Sequence, residues 1–123
     1  LTSSQINSQN IFQYAVMLEG WGLSREARQF YVTGFERMMK DFYTEPLIDN
    51  TQLDGLVRTS LRTGAVQETL NRLLEVRAWA RAETQREENY QAWRAEQFQT
   101  QIEATLRESF ASNLAQFCAR QLK

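Results

Sequence analysis

Histidine is absent from this 123-residue chain, and cysteine occurs once, at Cys118. The first absence removes the zinc-protease, Ser-His-Asp, Cys-His and histidine-bearing di-iron constellations in their usual forms. The second excludes an internal disulfide and a cysteine metal cluster. Cys118 follows Phe117 on a helical face continued by Phe110 and Leu114, so it reads as a buried structural thiol rather than a nucleophile. No glycine-rich phosphate loop occurs either, since the glycines stand singly or flank Trp21. With these exclusions no catalytic residue, cofactor or metal site is expected, and the chain reads as a non-enzyme.

Lysine is scarce: twelve of the fourteen basic residues are Arg, and only Lys40 and Lys123 are Lys. Arg carries a planar fork of donors that stacks on aromatic rings, which suits interfaces. Neither sign of charge prevails. Fifteen acidic residues leave a net charge of -1, and so no global field that gathers nucleic acid or anionic lipid. Apolar runs are short, Tyr14 to Leu18 being typical, against the roughly 20 residues of a membrane-spanning helix. No cationic segment followed by an apolar one opens the chain, which starts at Leu1, as a processed form or an excised domain would. A soluble protein is expected, with the cytoplasm favoured among compartments.

What the chain does contain is bulky apolar material, 42% of its residues, including seven Phe, four Tyr and three Trp. That is enough to build a core in a domain of this length. All five glycines and the single proline lie at or before Gly64, and they cut the first half into short elements. From Ile6 to Glu19, residues Ile11, Ala15 and Leu18 recur at helical spacing with Phe12 and Val16 beside them, so this helix is apolar over a wide arc. Gly20-Trp21-Gly22 marks a tight corner, with Trp21 expected to fold back as a plug. Ser24 suits an N-cap and Glu26 a first turn.

A second helix is expected from Arg25 to about Tyr43, its apolar stripe running through Ala27, Phe30, Tyr31, Gly34, Phe35, Met38, Met39 and Phe42. Gly34 on that stripe points to a close helix crossing. Glu36 and Lys40 form an i,i+4 pair on the other side. Thr44-Glu45-Pro46 breaks the helix. Thr51 with Asp54 resembles a capping box for a third helix through Leu53, Leu56, Val57 and Leu61, which Thr63-Gly64 ends.

From Ala65 to Lys123 there is neither Gly nor Pro. A single rod of that length would be far longer than an average helix. The seven residues Glu83–Asn89 carry no apolar side chain, and they mark a join between two helices, or the turn of a long hairpin, with continuous helix through 83–89 as the alternative. The pattern resumes as Trp93, Phe98, Ile102, Leu106, Phe110, Leu114, Phe117 and Cys118, and Phe98, Ile102, Leu106, Phe110 and Leu114 are expected to form one buried face with Cys118 at its edge. Glu83, Glu87 and Glu88 cluster at the join, but Arg81 and Arg86 interleave with them, so an exposed, solvated stretch is expected rather than a cation site. Glu103 and Arg107 read as an i,i+4 ion pair. The fold expected is therefore one all-α domain over residues 1–123: a compact bundle of four or five helices with short connections at 20–24, 44–51 and 62–64 and a long amphipathic C-terminal helix.

For function, the leading expectation is a helical protein–protein interaction module, such as an adaptor, a chaperone-like domain or an assembly subunit. Aromatics and Arg anchor interfaces. Trp79 and Trp93 flank the polar join, with Arg72, Arg77, Arg81 and Arg94 close in sequence, so these six residues form the expected partner-binding surface. The next expectation is a helix-turn-helix over residues 53–78 that offers Gln67, Glu68, Asn71 and Arg72 to nucleic acid, and residues 51–82 do net +2. The third is a self-associating structural subunit, a homodimer through the face at 98–118, although the upstream stretch lacks sustained heptads.

Overall fold

The computed structural model describes residues 7–86 and 88–121, except the side chains of residues 117 and 121. Its elements are α1 (Ser8–Gly20), α2 (Ser24–Lys40), α3 (Asn50–Thr63), α4 (Val66–Gln85), α5 (Ala92–Ala104), one π-helical turn (Thr105–Ser109) and α6 (Phe110–Gln121). The π turn joins α5 to α6 without a break, so the architecture is an all-α bundle of five rods. Among the described residues there is no strand, and no helix is long and apolar enough to cross a membrane.

The first two helices form a hairpin. Asn7 caps α1 by accepting from the Asn10 backbone N–H at 3.0 Å. Gly22, at φ +81°, turns the chain so that the Leu23 N–H reaches the Leu18 carbonyl at 3.0 Å. Trp21 is not the expected plug: it is 66% exposed, because the corner is the tip of the hairpin and the core lies further down. Ser24 is the first helical residue rather than the N-cap, a position held by Leu23 without a side-chain cap bond. Gly34 marks the crossing of the two helices, where a Cβ would lie 2.7 Å from the Phe12 ring. α2 stops at Lys40, three residues earlier than Tyr43, and residues 41–44 form turns that point the Phe42 ring into the core.

α3 crosses both hairpin helices. Its capping box is Asp49 with Gln52, not Thr51 with Asp54: Asp49 accepts from the Gln52 N–H at 2.7 Å, and the Gln52 side chain accepts from the Asp49 N–H at 3.0 Å. Leu53, Leu56, Val57 and Leu61 are buried as expected. Gly64, at φ +75°, closes the helix in the left-handed conformation.

The polar stretch is a bend. α4 ends at Gln85 and α5 starts at Ala92, so the two fold back as a second hairpin. The corner is held by Asn89, whose amide donates to the Tyr43 hydroxyl at 2.6 Å and to the Glu83 carbonyl at 3.1 Å. Phe42 centres the core between the hairpins, with Trp79 edge-on at 4.8 Å, Tyr43 at 5.0 Å and Phe98 at 5.2 Å between ring centroids.

The expected single face at 98–118 divides at the π turn. Phe98 and Ile102 are fully buried, and Leu106 and Phe110 pack against the core only in part. Leu114 is 48% exposed and Cys118 is exposed, so the thiol is not the structural core residue expected. The physical reason is phase. A π turn inserts an extra residue into the helix, and one residue rotates the helix beyond it by about 100°.

Candidate functional site

The six expected contact residues do not form one patch. Arg72 and Trp79 share the flank of α4 that faces α2. There the Arg72 guanidinium donates to Glu36 from Nε at 2.7 Å and from Nη2 at 2.5 Å, and to Glu75 at 3.2 Å. With Met39, Lys40 and Val76 these residues line a shallow groove between α2 and α4. Glu36 is thus engaged with Arg72 across the groove rather than with Lys40 within its own helix. Arg77 and Arg81 lie on the opposite flank, toward α5, where Arg81 donates to Glu103 at 2.9 Å. That ion pair takes the place of the expected Glu103–Arg107 pair. The Gln99 and Arg81 hydrogen bonds hold the Glu103 carboxyl below its ordinary value.

Trp93 and Arg94 sit in the first turn of α5 with opposite fates. Trp93 is 61% exposed. Arg94 turns inward: its Nε donates to the Phe42 carbonyl at 3.0 Å, its Nη2 donates to the Glu45 carbonyl, and its guanidinium lies 5.4 Å from the Phe42 ring centroid. Sequence reasoning missed this role because the two carbonyls it serves are freed only by the early end of α2.

Of the residues of the helix-turn-helix reading, Gln67 and Asn71 stay exposed on α4, while Glu68 and Arg72 pair with side chains of α2. Gln67 donates to Asn71 at 2.8 Å, Arg28 donates to Glu68 at 3.4 Å, and Arg72 is held by Glu36. Of the acidic cluster, Glu83 accepts from the Tyr43 hydroxyl at 2.5 Å and pairs with Arg86 at 3.2 Å, while Glu87 lies outside the described residues. Burial and then the Glu83 hydrogen bond raise the Tyr43 hydroxyl above its usual pKa. Among the described residues no group of three or more Cys, Asp or Glu side chains is placed to hold a metal ion.

Two arrangements were not anticipated. The first is a half-buried polar knot around Glu19. Its carboxylate accepts from the Tyr31 hydroxyl at 2.8 Å and from Arg58 Nε and Nη2 at 2.8 and 3.1 Å, and it pairs with Arg62 at 3.5 Å. Burial by itself raises the Glu19 carboxyl, but the Arg58 and Tyr31 hydrogen bonds and the two guanidinium charges outweigh it and hold the group below its ordinary value. Tyr31 is raised, first by burial and then by its bond to Glu19.

The second is an apolar surface on the α1–α2 hairpin. Tyr14, Met17, Trp21, Leu23 and Phe30 are between 39% and 66% exposed. Tyr14, Met17 and Trp21 stand at i, i+3 and i+7 along one side of α1 and its cap, and Leu23 and Phe30 are seven apart at the start of α2 and within it. The Tyr14 and Phe30 rings meet across the helices at 6.1 Å between centroids, joining the two rows. Glu26, exposed three residues after Leu23 and four before Phe30, stands on the same row of α2, so the surface carries an acidic side chain. The wide apolar arc of α1 was the available signal: one core does not cover an apolar helix on all sides. No protein-family model, curated protein or solved structure matches this chain.

Proposed function

We propose that this domain is a non-enzymatic protein–protein interaction module that binds its partner through the apolar face of the α1–α2 hairpin. The observation that carries the reading is five large apolar side chains, three of them aromatic, exposed side by side around the Tyr14–Phe30 contact. Monomeric proteins rarely leave a contiguous apolar surface of this kind uncovered, and Tyr, Trp, Phe and Met are the residues that supply interface energy. The face fits a partner segment that is itself apolar, such as an amphipathic helix laid along the hairpin with a cation placed to meet Glu26. Trp93 at the other hairpin's corner is the one member of the expected Arg–Trp surface that is both aromatic and largely exposed, and it serves as the comparison site.

Nucleic-acid binding through α3 and α4 is the weaker reading. Arg28, Arg58, Arg62, Arg72, Arg81 and Arg86 all carry carboxylate partners, and each phosphate contact would have to replace one of them.

The test compares Trp21→Ser with Phe30→Ser and Trp93→Ser, each first shown to keep the helical circular dichroism and melting temperature of the parent. The proposal expects stoichiometric capture of a defined partner by the parent and by Trp93→Ser, and loss of about tenfold or more in affinity in the hairpin variants, the scale of an interface anchor. Capture undiminished by either hairpin substitution overturns it. Light scattering of the isolated chain separates a second copy from a different protein: a dimer dissolved by Phe30→Ser makes the domain its own partner.

A further inference from the structure

Where α6 passes α3, the facing side chains are unusually one-sided in charge. Arg58 and Arg62, one turn apart on α3, and Asn113, Gln116 and Arg120, at i, i+3 and i+7 on α6, surround a small recess floored by Leu61. Each of the other grooves described on the bundle carries at least one carboxylate in its wall: Asp54 and Glu108 beside the π turn, Asp49 between α3 and α5, Glu36 and Glu75 between α2 and α4. This recess has three guanidiniums in its wall and, among the described residues, no carboxylate.

The hydrogen-bond count is equally one-sided. Arg58 spends two of its five N–H groups on Glu19, and Arg62 reaches the same carboxylate only at 3.5 Å. The Arg120 and Gln116 side chains make no hydrogen bond among the described residues, and Asn113 turns its amide nitrogen back to the Ser109 carbonyl at 2.8 Å. Glu19, outside the wall, pairs with Arg58 and Arg62, and Asp54 lies within electrostatic reach of Arg58, but among the described residues most donors of the three guanidiniums are open. The recess encloses about 30 Å³, the space of about two water molecules. That admits the oxygens of a single oxyanion and leaves whatever bears it outside.

We propose that the α3–α6 recess is a binding site for one phosphate group, held by Arg58, Arg62 and Arg120 with the Gln116 amide. Planar guanidinium forks match phosphate oxygens two at a time, and an anion offsets the excess of positive charge in the wall. Arg58 comes ready oriented, because Glu19 holds it through two hydrogen bonds. The site makes no use of the apolar hairpin face, so it stands or falls separately from the proposed function.

The experiment titrates the full chain with inorganic phosphate at constant ionic strength and follows backbone and Arg side-chain N–H resonances, with acetate as the monovalent control. A second arm uses O-phosphoserine, which distinguishes a phosphate carried on another molecule from the free ion. Saturable shifts at residues 58, 62, 116 and 120, with phosphate or phosphoserine preferred over acetate, are expected. Arg120→Ala, an exposed position whose loss leaves the bundle folded, should weaken binding by about tenfold, the worth of one charge-assisted hydrogen bond. Arg25→Ala, an exposed cation on α2, should leave it unchanged. Unsaturating shifts spread over the surface, equal response to acetate, or equal losses in Arg120→Ala and Arg25→Ala each overturn the assignment.

Discussion

Glu19 takes hydrogen bonds from a tyrosine on α2 and an arginine on α3, and so ties three helices at a single carboxylate. Its folded pKa lies below that of an unfolded chain, about 4.3 for Glu. A depressed carboxyl stabilises the fold above the unfolded value, and this contribution is lost as pH falls through the folded one. Glu19→Gln should therefore cost about 1.5–3 kcal/mol near neutrality, the range for a hydrogen bond to a charged group. Denaturant titrations from pH 7 down to pH 3 should show the gap between parent and variant closing with acid, and a gap independent of pH would assign the loss to packing. Nothing in the linear sequence marked this residue, because its partners are 12 and 39 positions away. Gly55 was silent for the same reason: a Cβ there would collide with the Tyr31 ring and hydroxyl, a crowding that exists only once α2 and α3 have crossed. Gly34 was legible because its neighbours on the α2 stripe were large and its smallness stood out among them.

At the level of helices, the breaks were readable wherever they rest on local chemistry. Gly22 and Gly64 adopt left-handed backbone, and a stretch without apolar side chains becomes the α4–α5 bend, whereas the residue pattern puts the α3 cap two residues late, at Thr51 rather than Asp49. The π turn was not readable, since a change in hydrogen-bond register leaves no mark on residue type, and the regular spacing of Phe98, Ile102, Leu106, Phe110 and Leu114 extends straight through it. The consequence is a sharp contrast along one continuous rod. Phe98→Ala should destabilise by about 3–5 kcal/mol, since transfer and cavity terms both apply to a fully buried ring. Leu114→Ala should stay within about 0.5 kcal/mol of the parent, as surface changes do. Urea midpoints for the two variants check this, and equal losses would mean that α6 is buried as deeply as α5. The same limit applied to the candidate site. The apolar arc of α1 could be seen in its residue pattern, but which part of it stays uncovered depends on where α2 and α3 pack.

Over the whole molecule, the bundle is two helical hairpins, α1–α2 and α4–α5, with α3 between them, and a few polar contacts stitch the halves together. Arg94 spans 52 positions to the Phe42 carbonyl, Gln101 spans 53 to donate to the Ile48 carbonyl at 2.5 Å, and Ser109 spans 55 to donate to Asp54 at 2.5 Å. Each hairpin is closed by near neighbours in the chain, whereas these stitches wait for the halves to meet. That geometry implies an order in time. Local contacts form early and cheaply, while contacts that close long loops come late, after most of the chain-entropy cost has been met. The Arg94 clamp on the 41–45 turn is thus a feature of the native state and not of the barrier that precedes it. In stopped-flow measurements Arg94→Leu should speed unfolding by roughly ten- to hundredfold, from a loss of about 1.5–3 kcal/mol, and should leave the refolding limb of the chevron nearly in place. A slowed refolding limb with unchanged unfolding would place the meeting of the hairpins in the folding nucleus. A side chain that reads as a binding-surface arginine would then act as a latch: it sets how long the bundle stays closed rather than how fast it closes.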